Sequence, residues 1–102
     1  MVPAGPTSLS ICAGRMARTL TAGYQRLVAA LNALPARTST RECSSRPPFH
    51  GQNYRLEFAY PQGPAVQVRV SPYCYPAIDN LSLQAYSAKA ILPIIERLLR
   101  AS

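Results

Sequence analysis

The chain of 102 residues carries a net charge of +7, from 11 Lys and Arg against four Asp and Glu, and 48% of its residues are hydrophobic. This length supports one domain that buries about two-thirds of its unfolded surface, and this composition excludes a chain that is disordered throughout. The basic residues are spread without a run or an aromatic RNA-binding motif, and no apolar stretch reaches the roughly 18 residues that span a bilayer, so we expect neither a nucleic-acid partner nor a transmembrane segment.

Residues 1–13 are mildly apolar, contain two prolines and lack the basic start of a signal peptide. We expect residues 1–16 to form a disordered leader or the remnant of an export signal, followed by a single domain over residues 17–102. Residues 9–12 are similar to the cleavage box of bacterial lipoproteins, in which Cys12 would be acylated. Ile11 departs from that box, because a small residue normally precedes the cysteine. A wrongly assigned start codon is the alternative.

Apolar residues recur at steps of three and four over residues 19–34, which predicts an amphipathic helix. Thr19 or Thr21 can cap its start, and Pro35 stops it because the residue before a proline is disfavoured in the α conformation. We expect the apolar stripe to pack on the core of the domain rather than on a membrane or a partner. The stripe consists of Leu20, Tyr24, Leu27, Leu31 and Leu34.

Apolar and polar residues alternate over residues 54–60, which predicts a half-buried β-strand. Pro-Gln-Gly at residues 61–63 predicts a hairpin turn, and a second alternating strand follows at residues 66–70. One register puts every large apolar side chain of the two strands on the same face, and we expect that register. It pairs Phe58 with Val66, Leu56 with Val68 and Tyr54 with Val70.

Leu81, Leu83 and Ala85 alternate after a turn signal at Asp79 and Asn80, which predicts a short third strand. A final amphipathic helix is expected after Ser87, its natural N-cap, with Pro93 kinking it or delaying its start. Its apolar face consists of Ile91, Leu92, Ile95, Leu98 and Leu99. The predicted fold class is α+β, with an N-terminal helix, an antiparallel β-hairpin with or without a short third strand, a C-terminal helix and one disulfide.

The hairpin register places Cys43 and Cys74 at the open end of the hairpin, because Cys74 follows the second strand and lies opposite about residue 50. The connection can fold back within the roughly 4.4 to 6.8 Å that a disulfide requires between α-carbons. We expect a Cys43–Cys74 disulfide, which would stabilise the fold by about 3 to 4 kcal/mol in the chain-entropy model. Two buried free thiols are the alternative. Cys12 is then free, lipidated or removed.

We expect no catalytic, cofactor-binding or metal-binding residues. Three cysteines and His50 are too widely spread for a zinc site and contain no CxxC pair. A nucleophilic pair of Cys43 and His50 lacks an orienting third group, and we interpret His50 as a surface residue. Glu57 is expected to lie diagonal to Arg69 on the exposed face of the hairpin, and Asp79 is expected to shape its turn.

Five tyrosines lie in the C-terminal half of the chain and could form a stacking platform, although packing is the more common role for such residues. They are Tyr54, Tyr60, Tyr73, Tyr75 and Tyr86.

Residues 54–63 (YRLEFAYPQG), residues 66–70 (VQVRV), Cys74 and residues 91–99 (ILPIIERLL) resemble small secreted or lipid-anchored proteins of GC-rich Gram-positive bacteria, of the actinomycete type. The resemblance covers about residues 17–99, and its motifs are structural rather than catalytic. It implies export, the same Cys43–Cys74 disulfide and no assigned activity.

We therefore expect a monomeric, non-enzymatic exported or cell-envelope protein that binds a protein or envelope partner, or has a structural role. The competing hypothesis is a protease inhibitor that presents the stiff loop between Pro72 and Pro76. In this loop Tyr73 and Tyr75 flank the disulfide-bonded Cys74, which makes these two tyrosines the candidate binding residues. A cytoplasmic location is the alternative if Met1 is the true start.

Overall fold

The structure, a computed structural model, describes residues 1–45 and 52–100. Within these residues, seven strands form one antiparallel sheet, two more form a small second sheet, and two helices complete the fold. In chain order the elements are β1 (Ser8–Ala13), β2 (Met16–Leu20), α1 (Gln25–Ala33), β3 (Arg37–Thr38), β4 (Ser44–Ser45), β5 (Tyr54–Ala59), β6 (Val66–Val70), β7 (Cys74–Tyr75), β8 (Ile78–Asp79), β9 (Leu83–Ala85) and α2 (Leu92–Arg100). The large sheet has the order β2-β1-β5-β6-β8-β9-β3, and β4 pairs with β7.

The predicted arrangement of an N-terminal helix, a hairpin and a C-terminal helix is wrong, because the N-terminal residues belong to the sheet. Strand β1, which falls in the segment expected to be a disordered leader, pairs with β2 on one side and with β5 on the other. Its Leu9 and Ile11 side chains are fully buried in the core. Residues expected to lie outside the domain therefore supply an interior strand.

Local chemistry explains the β1–β2 hairpin. Buried and half-buried side chains alternate along β1, as they do in a strand with one face on a core. Gly14 has a φ of +61° and is the first of the two residues that link the strands, where glycine is favoured in type II′ hairpins. This alternation and the glycine were the signals of a strand in the sequence.

Helix α1 is shorter than predicted at its start. Leu20, expected on the helical stripe, belongs to β2, and Gly23 has a φ of +84°, which is incompatible with a right-handed helix. Leu27 and Leu31 are buried as expected. The helix ends at Ala33 because the next residue, which precedes a proline, is extended.

The β5–β6 hairpin has the predicted register, with the three expected apolar pairs opposite one another.

Helix α2 begins at Leu92, so Pro93 lies in its first turn, where a proline costs no helical hydrogen bond. Ile91 and Ile95 are fully buried in one core cluster with the apolar side chains of the sheet and of α1. We call the sheet face that carries these buried side chains the inner face, and the opposite one the outer face.

Polar contacts fix the outer face at β8 and β9. The Asp79 carboxylate accepts hydrogen bonds from the Ser39 hydroxyl at 2.8 Å and from the Leu81 backbone N–H at 2.6 Å. The Gln84 side-chain oxygen accepts from the Thr40 backbone N–H at 3.0 Å. Asp79 therefore shapes its turn as predicted, and it also anchors the segment that follows β3.

The first residues of the chain are also held in place. The side-chain amide of Asn32 on α1 accepts from the Val2 backbone N–H at 2.7 Å and donates to the Val2 carbonyl at 2.9 Å. The hydroxyls of Tyr60 and Tyr24 donate to backbone carbonyls of Pro3 and Pro6. These contacts attach the segment before β1 to α1 and to the β5–β6 hairpin.

Each helix has nine residues. In the part of the chain that the structure describes, no helix combines the length and the apolar character needed to cross a membrane.

The burial of β1 predicts a large effect of truncating its side chains. Ile11→Ala should lower the free energy of unfolding by about 2 to 5 kcal/mol, because it removes a fully buried side chain and leaves a cavity. Met16→Ala, at a position of β2 that is 59% exposed, is the matched control and should change it by less than about 0.5 kcal/mol. Urea denaturation measures both. Equal effects would show that β1 is not part of the folded core.

Two tyrosines predict a loss of stability at alkaline pH. Burial raises the pKa of Tyr54, the Glu96 carboxylate raises it further, and burial also raises the pKa of Tyr60. The folded state therefore keeps these protons at a pH where the unfolded state, with a pKa near 10.0, has lost them. Their contribution is complete below that value and is lost as the pH rises through the folded pKa. The urea midpoint should fall above this pH, and it should fall less in Tyr54→Phe; an identical profile in Tyr54→Phe would contradict the prediction.

Candidate binding surface

The segment after β6 folds into a closed loop. The Ser71 carbonyl accepts from the Cys74 backbone N–H at 2.9 Å, and the Ser71 N–H donates to the Ala77 carbonyl at 2.8 Å. Within this loop β7 pairs with β4, and the peptide bond before Pro76 is cis. The backbone of the loop is thus held by its own hydrogen bonds and by a second strand.

The predicted disulfide joins Cys43 to Cys74 beside this strand pair, with 5.0 Å between the α-carbons. Cys74 is buried, whereas Cys43 lies on the surface. The bridge ties the segment before β4 to the loop between β6 and β8, which carries the candidate residues Tyr73 and Tyr75.

The structure separates the two tyrosines that the sequence paired. Tyr75 is 41% exposed, and its ring packs against Tyr86 with 4.9 Å between the ring centroids and 36° between the ring planes. Tyr73 is half-buried, and its hydroxyl accepts a hydrogen bond from the side-chain amide of Asn53. Tyr54 is buried in the core. The five tyrosines therefore do not form one platform, although Tyr75 and Tyr86 stack together.

A cavity of about 380 Å³ lies beside the stacked pair. Its lining includes the two rings, Pro72 and the exposed Lys89, together with the apolar side chains of two alanines and Leu92. The Ser87 hydroxyl accepts from the Lys89 backbone N–H at 3.2 Å, which orders the turn before α2. We call this region the Tyr75–Tyr86 surface. It offers aromatic faces and one positive charge.

In the described residues, the other candidate side chains do not come together as a catalytic or metal site. The Cys43 sulfur is bonded to Cys74, so it is not available as a nucleophile, and His50 lies outside the described residues. Among residues 1–45 and 52–100, no three His, Cys, Asp or Glu side chains converge on one point. Cys12 is the free cysteine, half-buried on β1.

Sequence reasoning included Tyr86 only as one of five tyrosines and did not connect it with Tyr75. Tyr86 follows the short strand β9, and its contact with Tyr75 depends on how β9 pairs with β8 across the sheet. The local sequence around Tyr86 shows only that it follows an alternating strand, which does not predict a contact with Tyr75.

No protein-family model, curated protein or solved structure matches this chain. The similarity to small exported actinomycete proteins stays a prediction.

The disulfide predicts a measurable loss of stability on its removal. Replacing Cys43 and Cys74 together by serine should lower the free energy of unfolding by about 3 to 4 kcal/mol, because the unfolded chain regains the entropy of an open loop. The cysteines are 31 residues apart in sequence. Cys12→Ser is the control and should retain most of the stability. Urea denaturation of the three proteins tests this, and a double variant as stable as the parent would contradict it.

Proposed function

We propose that this protein is a non-enzymatic exported or cell-envelope binding protein that contacts a partner protein through the Tyr75–Tyr86 surface. The observation that carries the proposal is the pair of stacked tyrosines, exposed by 41% and 37%, on a part of the fold that a disulfide holds in place. Tyrosine is among the residues that contribute most to protein interfaces, because it combines a large apolar face with a hydroxyl.

The surface is ordered before any partner arrives. Tyr75 belongs to β7, whose backbone pairs with β4, and the neighbouring Cys74 is bonded to Cys43. A binding surface that is already rigid loses little conformational entropy on association. This favours recognition of a folded or extended partner by fixed aromatic side chains.

Three of the described groups that could perform acid–base or nucleophilic chemistry, namely Cys43, Cys74 and Asp79, are engaged in structural contacts. The Cys43 and Cys74 sulfurs are bonded to each other. Both carboxylate oxygens of Asp79 accept hydrogen bonds that hold a turn and a neighbouring segment. These roles support binding rather than catalysis.

The disulfide supports the proposed location. Disulfides form and persist mainly in oxidising compartments outside the cytoplasm. In protein isolated from its native host, Cys43 and Cys74 should resist alkylation until reduction, while Cys12 should react if it carries no lipid. Free Cys43 and Cys74 thiols in such a sample would contradict export.

Protease inhibition through the loop from Pro72 to Pro76 is the second candidate, favoured by the exposure of Tyr75 on a disulfide-bonded segment. Inhibition of a secreted serine protease in the nanomolar range, lost in Tyr73→Ala, would support it. No inhibition across a panel of such proteases would remove it.

The proposal predicts a specific cross-link from the tyrosine surface. A photoreactive phenylalanine in place of Tyr86 should give a discrete cross-linked species in cells of the native host, and Tyr75→Ala in the same chain should abolish it. The same group in place of Met16, which is 59% exposed on β2, is the matched control and should not give that species. Once the partner is purified, Tyr75→Ala should weaken binding about 30-fold, as expected for the loss of about 2 kcal/mol at an interface hot spot.

Three results would contradict the proposal. These are identical cross-links from positions 86 and 16, no cross-link from position 86, and unchanged binding in a folded Tyr75→Ala variant. Circular dichroism of the aromatic region establishes whether that variant is folded.

A further inference from the structure

The outer face of the sheet carries a row of polar side chains on four neighbouring strands. The register pairs Cys12 on β1 with Arg55 on β5, Arg55 with Arg69 on β6, and Arg69 with Asp79 on β8. Paired residues project to the same side of a sheet, so these side chains stand next to one another. They line a cavity of about 390 Å³, to which neutral polar groups of Asn53, Gln67 and Ser71 also contribute.

Two cations face each other in this row. Arg55 and Arg69 are directly opposite, and like charges in that position destabilise a sheet. The Nη2 atom of Arg55 lies 3.8 Å from the Cys12 sulfur, a contact that compensates little of its charge. Glu57 stands opposite Gln67 and therefore lies diagonal to Arg69, as predicted. The Asp79 carboxylate lies opposite Arg69, and its oxygens accept hydrogen bonds from the Ser39 hydroxyl and the Leu81 N–H, which hold it in place without removing its charge.

Arg69 is held at the cavity wall at a cost in stability. Its Nη2 donates to the Pro76 carbonyl at 2.9 Å, which fixes the guanidinium. Its Nε is buried and has no hydrogen-bond partner in the described part of the chain. An unsatisfied buried donor is uncommon in folded proteins and calls for an explanation. A requirement for positive charge at this wall of the cavity would explain why an arginine with an unsatisfied Nε is kept there.

We propose that this cavity binds a small oxyanion, a carboxylate or a phosphate group, between Arg55 and Arg69. Guanidinium groups present paired N–H donors that match the oxygens of both anions. An anion between them would remove the repulsion of the two cations, and the amides of Asn53 and Gln67 can donate to further ligand oxygens. The cavity volume is within the range of roughly 300 to 1,000 Å³ typical of small-molecule sites, so the ligand is a small organic acid or phosphate compound.

Cys12 provides a reporter for this site. With the Cys43–Cys74 disulfide intact it is the only thiol among the three cysteines of the chain, and it lines the cavity. Its alkylation rates with iodoacetate, which is anionic, and with iodoacetamide, which is neutral, are measured in parallel. Their ratio is independent of the fraction of thiolate and reports the local electrostatic potential. Arg55→Gln should lower this ratio about fivefold, since one nearby charge contributes about that factor at a hydrated surface.

Ligand binding is measured by the protection of Cys12 from iodoacetamide. Inorganic phosphate and succinate are titrated separately, with sodium chloride keeping the ionic strength constant. Arg26→Gln is the matched control, because Arg26 is exposed on α1 and its replacement makes the same change in net charge. Arg69→Gln is a second test variant, and circular dichroism verifies that each variant is folded.

If the proposal is correct, at least one of the two anions slows alkylation of Cys12 in the parent and in Arg26→Gln. The same anion has no effect on Cys12 alkylation in Arg55→Gln. Protection by succinate alone identifies a carboxylate ligand, protection by phosphate alone identifies a phosphate ligand, and protection by both identifies shared oxyanion recognition. Equal protection of Arg55→Gln, or no protection of the parent by either anion, would overturn it. Tyr75→Ala should leave the protection unchanged, so this result is independent of the proposed partner surface.

Discussion

The pairing of β1 with β5 is the contact on which the rest of the fold depends. It places Leu9 opposite Phe58 and Ile11 opposite Leu56, and all four side chains are fully buried. Strand β1 also connects β2 to the remainder of the sheet. Without this pairing, β5 would be an edge strand, and its buried side chains would lose their contacts with Leu9 and Ile11. The helices complete a core that this pairing begins.

The elements that sequence reasoning predicted correctly are those with strong local patterns. The β5–β6 register follows from strict alternation around Pro-Gln-Gly, and the bridge from Cys43 to Cys74 follows from that register. The sequence does not predict the β1–β2 hairpin, because a mildly apolar segment with two prolines at the start of the sequence is also typical of a leader. Leu20 and Tyr24 fall at helical spacing from Leu27, which extended the predicted helix across a turn and the end of β2.

Strands of two residues could not be predicted, because they are too short to show an alternating pattern and exist only where another segment of the chain supplies hydrogen bonds. Strand β3 pairs with β9, and β4 with β7. The same reason limits prediction of the sites. Tyr75 was a candidate from its place beside Cys74, but its partner Tyr86 is defined by tertiary packing. The facing of Arg55 and Arg69 followed from the predicted register, yet their shared cavity depends on β1 and β8 as neighbours.

The order of strands along the chain differs from their order in the sheet, and this has a consequence for biosynthesis. The β1–β2 hairpin is made before β5, so the edge of β1 that pairs with β5 stays unpaired until residues 54–59 have been made. Contacts between distant segments form slowly, because a long loop must close before any contact is gained. During translation, the hairpin therefore exposes an unpaired strand edge. This is the interval in which the nascent chain is most open to aggregation and in which chaperone protection would have its largest effect.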